Sequence, residues 1–289
     1  MRLDCDTPVT VAEVTATDGT TLRYRAWRAA APRRGVVVLL NGIMSHSGWF
    51  FPLVDALTRD GLTVVGADRR GSGLNAEQRG DAPTAKAVID DAIAIIDAEC
   101  PPDCPLYLVG WCWGSVLALN LVRPLGERLT GLIMVAPGLF PSEAVAAAAA
   151  RHEAAAAADP DAADDVATIG TPIDETMFTD GPYLDGFIRT DDARLMFITP
   201  RFRGLMTKLS MGALSRLRRL PCPLLVLLAE GDLATDNAAV HGAIAALPSE
   251  QVTTRSIVSG HAMQFDAPAF VTGEILAFAR RLPGTTPTA

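Results

Sequence analysis

Short runs of β-branched and leucine residues return along this chain at intervals that leave room for one helix each. That rhythm constrains the fold more than any other feature. Residues 35–41, 62–67, 106–109, 132–136, 224–228 and 252–258 read as strands, and helices are expected at 52–59, 84–98, 113–122, 237–246 and 269–281. Strands that are apolar on both faces belong in a mostly parallel sheet flanked by helices on each side. Upstream, residues 9–16 and 21–28 alternate around Asp18-Gly19 and read as an antiparallel hairpin. The expected class is α/β.

One stretch breaks the rhythm. No strand candidate appears between Pro137 and about Ser215, and alanine runs fill 146–150 and 154–158, so a helical cap is expected to be inserted there. Alanine favours helix but buries little area, so a helix over 144–158 should be exposed or weakly packed. The expected division is core at 1–137, helical cap at 138–215 and core again at 216–289. The 289 residues, 49% hydrophobic, supply ample material for one large core.

A formal net charge of −8 argues against nucleic acid and anionic membrane surfaces as partners. No apolar run is long enough for a membrane span, and the first ten residues lack a basic region followed by an apolar one, so a cytoplasmic location is expected. Five cysteines without zinc spacing imply no metal site. Charge is polarised within the insertion: residues 138–192 hold twelve acidic and two basic residues, and residues 193–219 hold seven Lys or Arg and no acid. Arg194, Arg201 and Lys208 recur every seven residues, although Pro200 interrupts any single helix. They are either a solvated face or a docking surface for an acyl carrier protein or coenzyme A thioester.

The strand at 106–109 runs through Gly110-Trp111-Cys112-Trp113-Gly114-Ser115 directly into a helix. This is the strand, sharp turn and helix context of a nucleophile elbow, here with cysteine at its centre. Glycines are needed at 110 and 114 because the strand and helix backbones approach too closely for side chains. A thiolate at a helix N-terminus is favoured by the dipole, and by a nearby imidazolium. Asp232 follows the strand at 224–228 and His261 follows the strand at 252–258, which gives the order nucleophile, acid, histidine. His261 would handle the thiol proton and Asp232 would fix its tautomer, with Asp236 as the alternative acid. Ser115 reads as a satisfied hydroxyl in the first helical turn rather than a nucleophile.

After the first parallel strand comes Leu39-Leu40-Asn41-Gly42-Ile43-Met44-Ser45-His46-Ser47-Gly48-Trp49-Phe50. Here the chain resembles the α/β-hydrolase superfamily, in particular its monoacylglycerol lipase and lysophospholipase-like branch, with Asn41 in place of the family's histidine and Ser45 in place of its glutamate. Asp68-Arg69-Arg70-Gly71-Ser72-Gly73 is similar to the family's Asp-x-Arg-Gly-x-Gly loop. The resemblance implies the α/β-hydrolase fold, a cap where the insertion lies, and an oxyanion hole made by the backbone N–H groups of Ile43 and Trp113. The branch normally carries serine where Cys112 stands. Cysteine there is similar to dienelactone hydrolases and polyhydroxyalkanoate synthases, which form thioester acyl-enzymes.

The expected function is cleavage of a small-molecule carboxylic ester or thioester through a cysteine acyl-enzyme, with no cofactor. Alternatives are an acyltransferase or cyclising thioesterase using the same intermediate, and a non-catalytic small-molecule-binding relative. Trp49, Met44, His46 and Met263 are the expected walls of the substrate pocket, and Trp111 is expected to serve packing.

Overall fold

The computed structural model describes residues 5–30, 33–157 and 168–282. β1 (Thr10–Thr15) and β2 (Thr21–Trp27) pair antiparallel, with Thr10 opposite Ala26 and Thr15 opposite Thr21. β2 buries Leu22, Tyr24 and Ala26 and exposes Thr21 and Arg23, the alternation that marks a strand with one wet face.

Next come β3 (Gly35–Leu40), α1 (Phe51–Arg59), β4 (Leu62–Ala67), α2 (Ala85–Glu99), β5 (Leu106–Cys112), α3 (Gly114–Leu125) and β6 (Leu129–Pro137). Every residue of β3, β4 and β5 is buried, as a central parallel strand requires. Each Val or Leu so removed from water contributes about 2 kcal/mol. α2 starts where the Thr84 hydroxyl accepts from Ala87 N–H, and α1 carries a proline in its first turn, where the missing donor costs nothing.

Between β6 and the next core strand lies the segment we call the cap: α4 (Glu143–Ala157), β7 (Ile169–Gly170), α5 (Pro182–Gly186), β8 (Phe197–Ile198) and α6 (Pro200–Leu217). β7 and β8 form a two-residue antiparallel ladder, so the segment is not strandless as its sequence suggested. Two pairs of residues are too short to leave a period-2 signal. α4 places Ala144, Ala146, Ala147 and Ala150 in solvent and buries only Val145 among its described side chains, which is the light packing expected of an alanine helix. Ala158, the last of the alanine run, lies outside the described residues. Pro200, expected to interrupt a helix, instead starts α6: Thr199 caps it by accepting from Phe202 N–H. α6 buries Phe202, Met206, Leu209, Ala213 and Leu217 at helical spacing and is pinned to α3 by Asn120 Nδ2 donating to Leu209 O at 3.0 Å.

The core resumes with β9 (Leu224–Ala229), α7 (Asn237–Ile244), β10 (Val252–Ile257), α8 (Met263–Asp266) and α9 (Pro268–Arg281). The eight-stranded sheet has the order β1-β2-β4-β3-β5-β6-β9-β10, antiparallel at β1–β2 and β2–β4 and parallel elsewhere. α1 packs with α9, and α2 with α3, so helices flank the sheet. The parallel strands β3, β4, β5, β9 and β10 all end on one edge, and the loops that leave that edge carry the site.

Candidate active site

Cys112 ends β5 with φ 56°, a left-handed conformation that costs a side-chain-bearing residue about 1–3 kcal/mol. The chain makes that turn because of its glycines. A Cβ on Gly114 would lie 2.0 Å from Leu40 O, and one on Gly110 would lie 2.6 Å from the Gly114 carbonyl. The turn leaves the thiol at the N-terminus of α3, where backbone N–H groups favour negative charge. Ser115 is occupied, its hydroxyl donating to Gly110 O at 2.7 Å.

His261 is fully buried, and its Nδ1 is 2.8 Å from Asp232 Oδ2. The other Asp232 oxygen accepts from Ala234 N–H at 2.8 Å and Thr235 N–H at 3.0 Å, which fixes the carboxylate. Asp236, the alternative acid, caps α7 by accepting from Ala239 N–H. The His261 ring packs in a triangle with Trp111 and Phe178, at centroid distances of 5.4 and 5.8 Å, and its carbonyl accepts from Trp111 Nε1 at 2.9 Å. Trp111 therefore holds the histidine as well as filling the core.

His261 Nε2 has no partner at strict hydrogen-bond geometry, but the Cys112 sulfur is close enough for its charge to act on the ring. Burial pushes the imidazolium pKa down; the Cys112 thiolate, the Asp232 carboxylate and their hydrogen bonds outweigh it and hold His261 up at about 10. A buried histidine held by a carboxylate at Nδ1 and lying beside a thiol is the chemical content of this arrangement.

The loop after β3 approaches the thiol from the other side. A Cβ on Gly42 would meet Cys112 Cβ at 3.0 Å, a tight approach that a side chain there would crowd. Asn41 Nδ2 donates back to Gly42 O at 3.0 Å and to Ser45 O at 2.5 Å, which closes the loop on itself. Asp68 locks the loop's far end by accepting from Ser47 N–H at 2.6 Å and Ser47 Oγ at 3.0 Å. Arg69, which the sequence offered only inside a loop motif, donates to the carbonyls of Gly42, at 2.8 Å, and Ile43. The available signal was its position: the second residue past the end of a buried parallel strand.

Ile43, Cys112 and Trp113 line a cavity of about 280 Å³, closed by Val145 of α4 and Met206 and Met211 of α6. Trp49, Met44, His46 and Met263, the expected walls, do not line it. Trp49 is fully buried in an aromatic cluster with Trp111, Phe178 and Phe265. Its Nε1 donates to Asp191 of the cap at 2.7 Å, and His46 Nε2 meets the same carboxylate oxygen at 3.0 Å. His46 Nδ1 accepts from Gly48 N–H, so the neutral tautomer donates from Nε2. Burial pushes the Asp191 carboxyl up, but His46, the Trp49 N–H and the Ala193 N–H together hold it below the usual carboxylate range. Met44 packs beneath, its carbonyl accepting from Leu195 N–H, and Met263 is buried in α8. Position in the loop that reaches Cys112 misled here for His46 and Trp49, whose polar atoms turn toward Asp191 of the cap rather than the thiol.

The basic triplet is not a free surface. Arg194 precedes α6 and lies 3.7 Å from Glu175, Arg201 is paired with Asp81 of the core, and Lys208 is exposed, with no ion pair among the described residues. These arginines tie cap to cap and cap to core. Among the described residues no group of three metal-ligating side chains comes together, and no helix is long and apolar enough to cross a membrane.

The fold is shared with known enzymes. A monoglyceride lipase from Saccharomyces cerevisiae superposes with a TM-score of 0.79 over 98% of this chain and 98% of that one, at 17% identity. A monoacylglycerol lipase from Paleococcus ferrophilus does so with a TM-score of 0.73 over 89% and 98%, at 19% identity. In sequence, the chain is 30% identical to the phospholipase YtpA of Bacillus subtilis over 114 residues, 39% of this chain and 44% of that protein. The chain spans less than half the length of the curated relatives it matches. The Hydrolase_4 family model, described as serine aminopeptidase S33, matches residues 31–266, and with the elbow, sheet order and loop arrangement above it places this chain in that family of α/β-hydrolases.

Proposed function

We propose that this chain hydrolyses a small carboxylic ester or thioester through an acyl-enzyme on Cys112. The observation that carries the reading is a thiol on a left-handed elbow, facing a fully buried histidine whose far nitrogen is bonded to a fixed carboxylate. The Cys112 thiolate attacks the substrate carbonyl carbon, and the charge passing to oxygen is met by the N–H groups of Ile43 and Trp113. The tetrahedral adduct collapses as His261 gives its proton to the departing alcohol or thiol, leaving a thioester. Water then enters, His261 takes one of its protons, and the carboxylic acid leaves as the thiol re-forms. Asp232 stabilises the imidazolium at both stages.

The cavity between Trp113, Val145, Met206 and Met211 suits a short apolar acyl chain, in keeping with the lipase and phospholipase relatives. Arg194 and Arg201 each lie beside an acid of the chain itself, which favours free esters over carrier-bound thioesters. p-Nitrophenyl butyrate hydrolysis by wild type, Cys112→Ala and Cys112→Ser tests this. The expected loss in Cys112→Ala is about 10⁵-fold in kcat; turnover within tenfold of wild type would refute Cys112 as nucleophile.

A further inference from the structure

Arg69 and Arg70 leave the same loop and end in opposite surroundings. Arg70 is an ordinary paired arginine, with Nε and Nη2 each 2.6 Å from the two oxygens of Asp91 and Nη1 2.8 Å from Asp18. Arg69 is buried, and its hydrogen bonds go to carbonyls: Nη1 to Gly42 O at 2.8 Å and Nη2 to Ile43 O. Its guanidinium lies 5.6 Å from the Trp113 ring centroid and 5.7 Å from that of Phe202. Neighbouring Asp68 spends its oxygens on Ser47, Leu74 N–H and Arg25.

Burial pushes Arg69 down to about 10, which still leaves it charged at neutral pH. Burying a cation without a hydrogen-bonded carboxylate is a poor way to gain stability, since desolvation costs several kcal/mol. The location suggests what the charge does. Gly42 O and Ile43 N belong to one peptide, and a trans peptide points its C=O and N–H in opposite directions. The two donors on Gly42 O, Arg69 Nη1 and Asn41 Nδ2, therefore fix the direction of the Ile43 N–H. Charged hydrogen bonding at the oxygen also polarises the peptide and strengthens its N–H as a donor.

We propose that Arg69 is the positioning residue of the oxyanion hole, orienting and polarising the Gly42–Ile43 peptide so that the Ile43 N–H meets the developing oxyanion while the same guanidinium buttresses Trp113. This rests on the reading of Cys112 as nucleophile and Ile43 N–H as oxyanion donor.

Two rates measured on the intact chain separate the possibilities. Acylation by p-nitrophenyl butyrate needs an oxyanion hole; alkylation of Cys112 by iodoacetamide, followed by peptide mass spectrometry, needs the thiolate but no oxyanion. Arg69→Met should lower kcat about 100-fold with KM within threefold, while the Cys112 alkylation rate stays within fivefold of wild type. Arg69→Lys, which keeps a charged donor, should recover at least tenfold of the lost kcat, and Arg69→Gln should not. A kcat within threefold of wild type in Arg69→Met, or alkylation and acylation changing in parallel in all variants, overturns the proposal. If Arg69→Met does not fold, the Lys and Gln variants decide by the same pair of rates: equal kcat in the two overturns it. Retained turnover in Cys112→Ala would instead defeat the underlying reading, a separate outcome.

Discussion

The loops at the C-terminal edge of the sheet and the cap above them are held by different physics. At the sheet edge polar side chains are buried and bonded: Asp232 accepts three hydrogen bonds, Asp68 seals the loop after β3, and Arg69 ends on two carbonyls. The cap presents its alanine helix mostly to solvent, while its other segments dock on the edge through Asp191 on His46 and Trp49, Arg201 and Thr199 on Asp81, and Arg79 on the Asp192 and Arg194 carbonyls. The cap shapes the cavity, and its solvent-facing helix α4 is lightly packed.

If that division is right, substitutions at the edge should act on chemistry and substitutions in the cap on stability or KM. After Cys112 itself, the largest effect is expected from Asp232→Asn, with a fall of about 10³–10⁴-fold in kcat and melting temperature nearly unchanged, read by steady-state kinetics and thermal unfolding. A pH profile sharpens the same point. His261 is raised above its unfolded value of about 6.5, so the interaction that favours its proton is fully present below that pH and is lost as pH rises through about 10. On an alkyl ester, whose leaving alkoxide needs the His261 proton, the alkaline limb of kcat should lie near pH 10 in wild type. It should move to lower pH when a residual rate is followed in Asp232→Asn; an unmoved limb would dissociate Asp232 from the histidine.

Cap substitutions should rank below these. Asp191→Ala strands the Trp49 N–H and His46, costing about 3 kcal/mol of stability and a several-fold rise in KM as the cap base loosens, with kcat at saturation changed less than tenfold. Calorimetry and ester kinetics check both. Ala147→Gly on the exposed face of α4 should cost about 1 kcal/mol and leave kcat within twofold. A hundredfold loss of kcat there would erase the contrast between the two regions.

The same division explains what could be read from the chain directly. The parallel strands, the elbow and the order Cys112, Asp232, His261 are legible because they rest on local constraints: continuous burial, two sterically required glycines, and residues placed just past strand ends. The cap ladder of β7 and β8 and the start of α6 at Pro200 are set by tertiary contact and N-terminal capping, which a period count does not register. The pocket was misplaced for a related reason. Trp49 and His46 lie near Cys112 in the fold, but an acidic partner 142 and 145 residues away draws their polar atoms toward the cap. Arg69 escaped notice because its role depends on which carbonyls the next loop turns toward it.

The central claim is a covalent acyl group on one particular sulfur. Rapid quench of the protein with p-nitrophenyl butyrate, followed by intact and peptide mass spectrometry, should show a single butyryl addition on the peptide containing Cys112, absent in Cys112→Ala and decaying in wild type at the steady-state turnover rate. An adduct that persists in Cys112→Ala, or one that forms on wild type more slowly than turnover, would contradict the account.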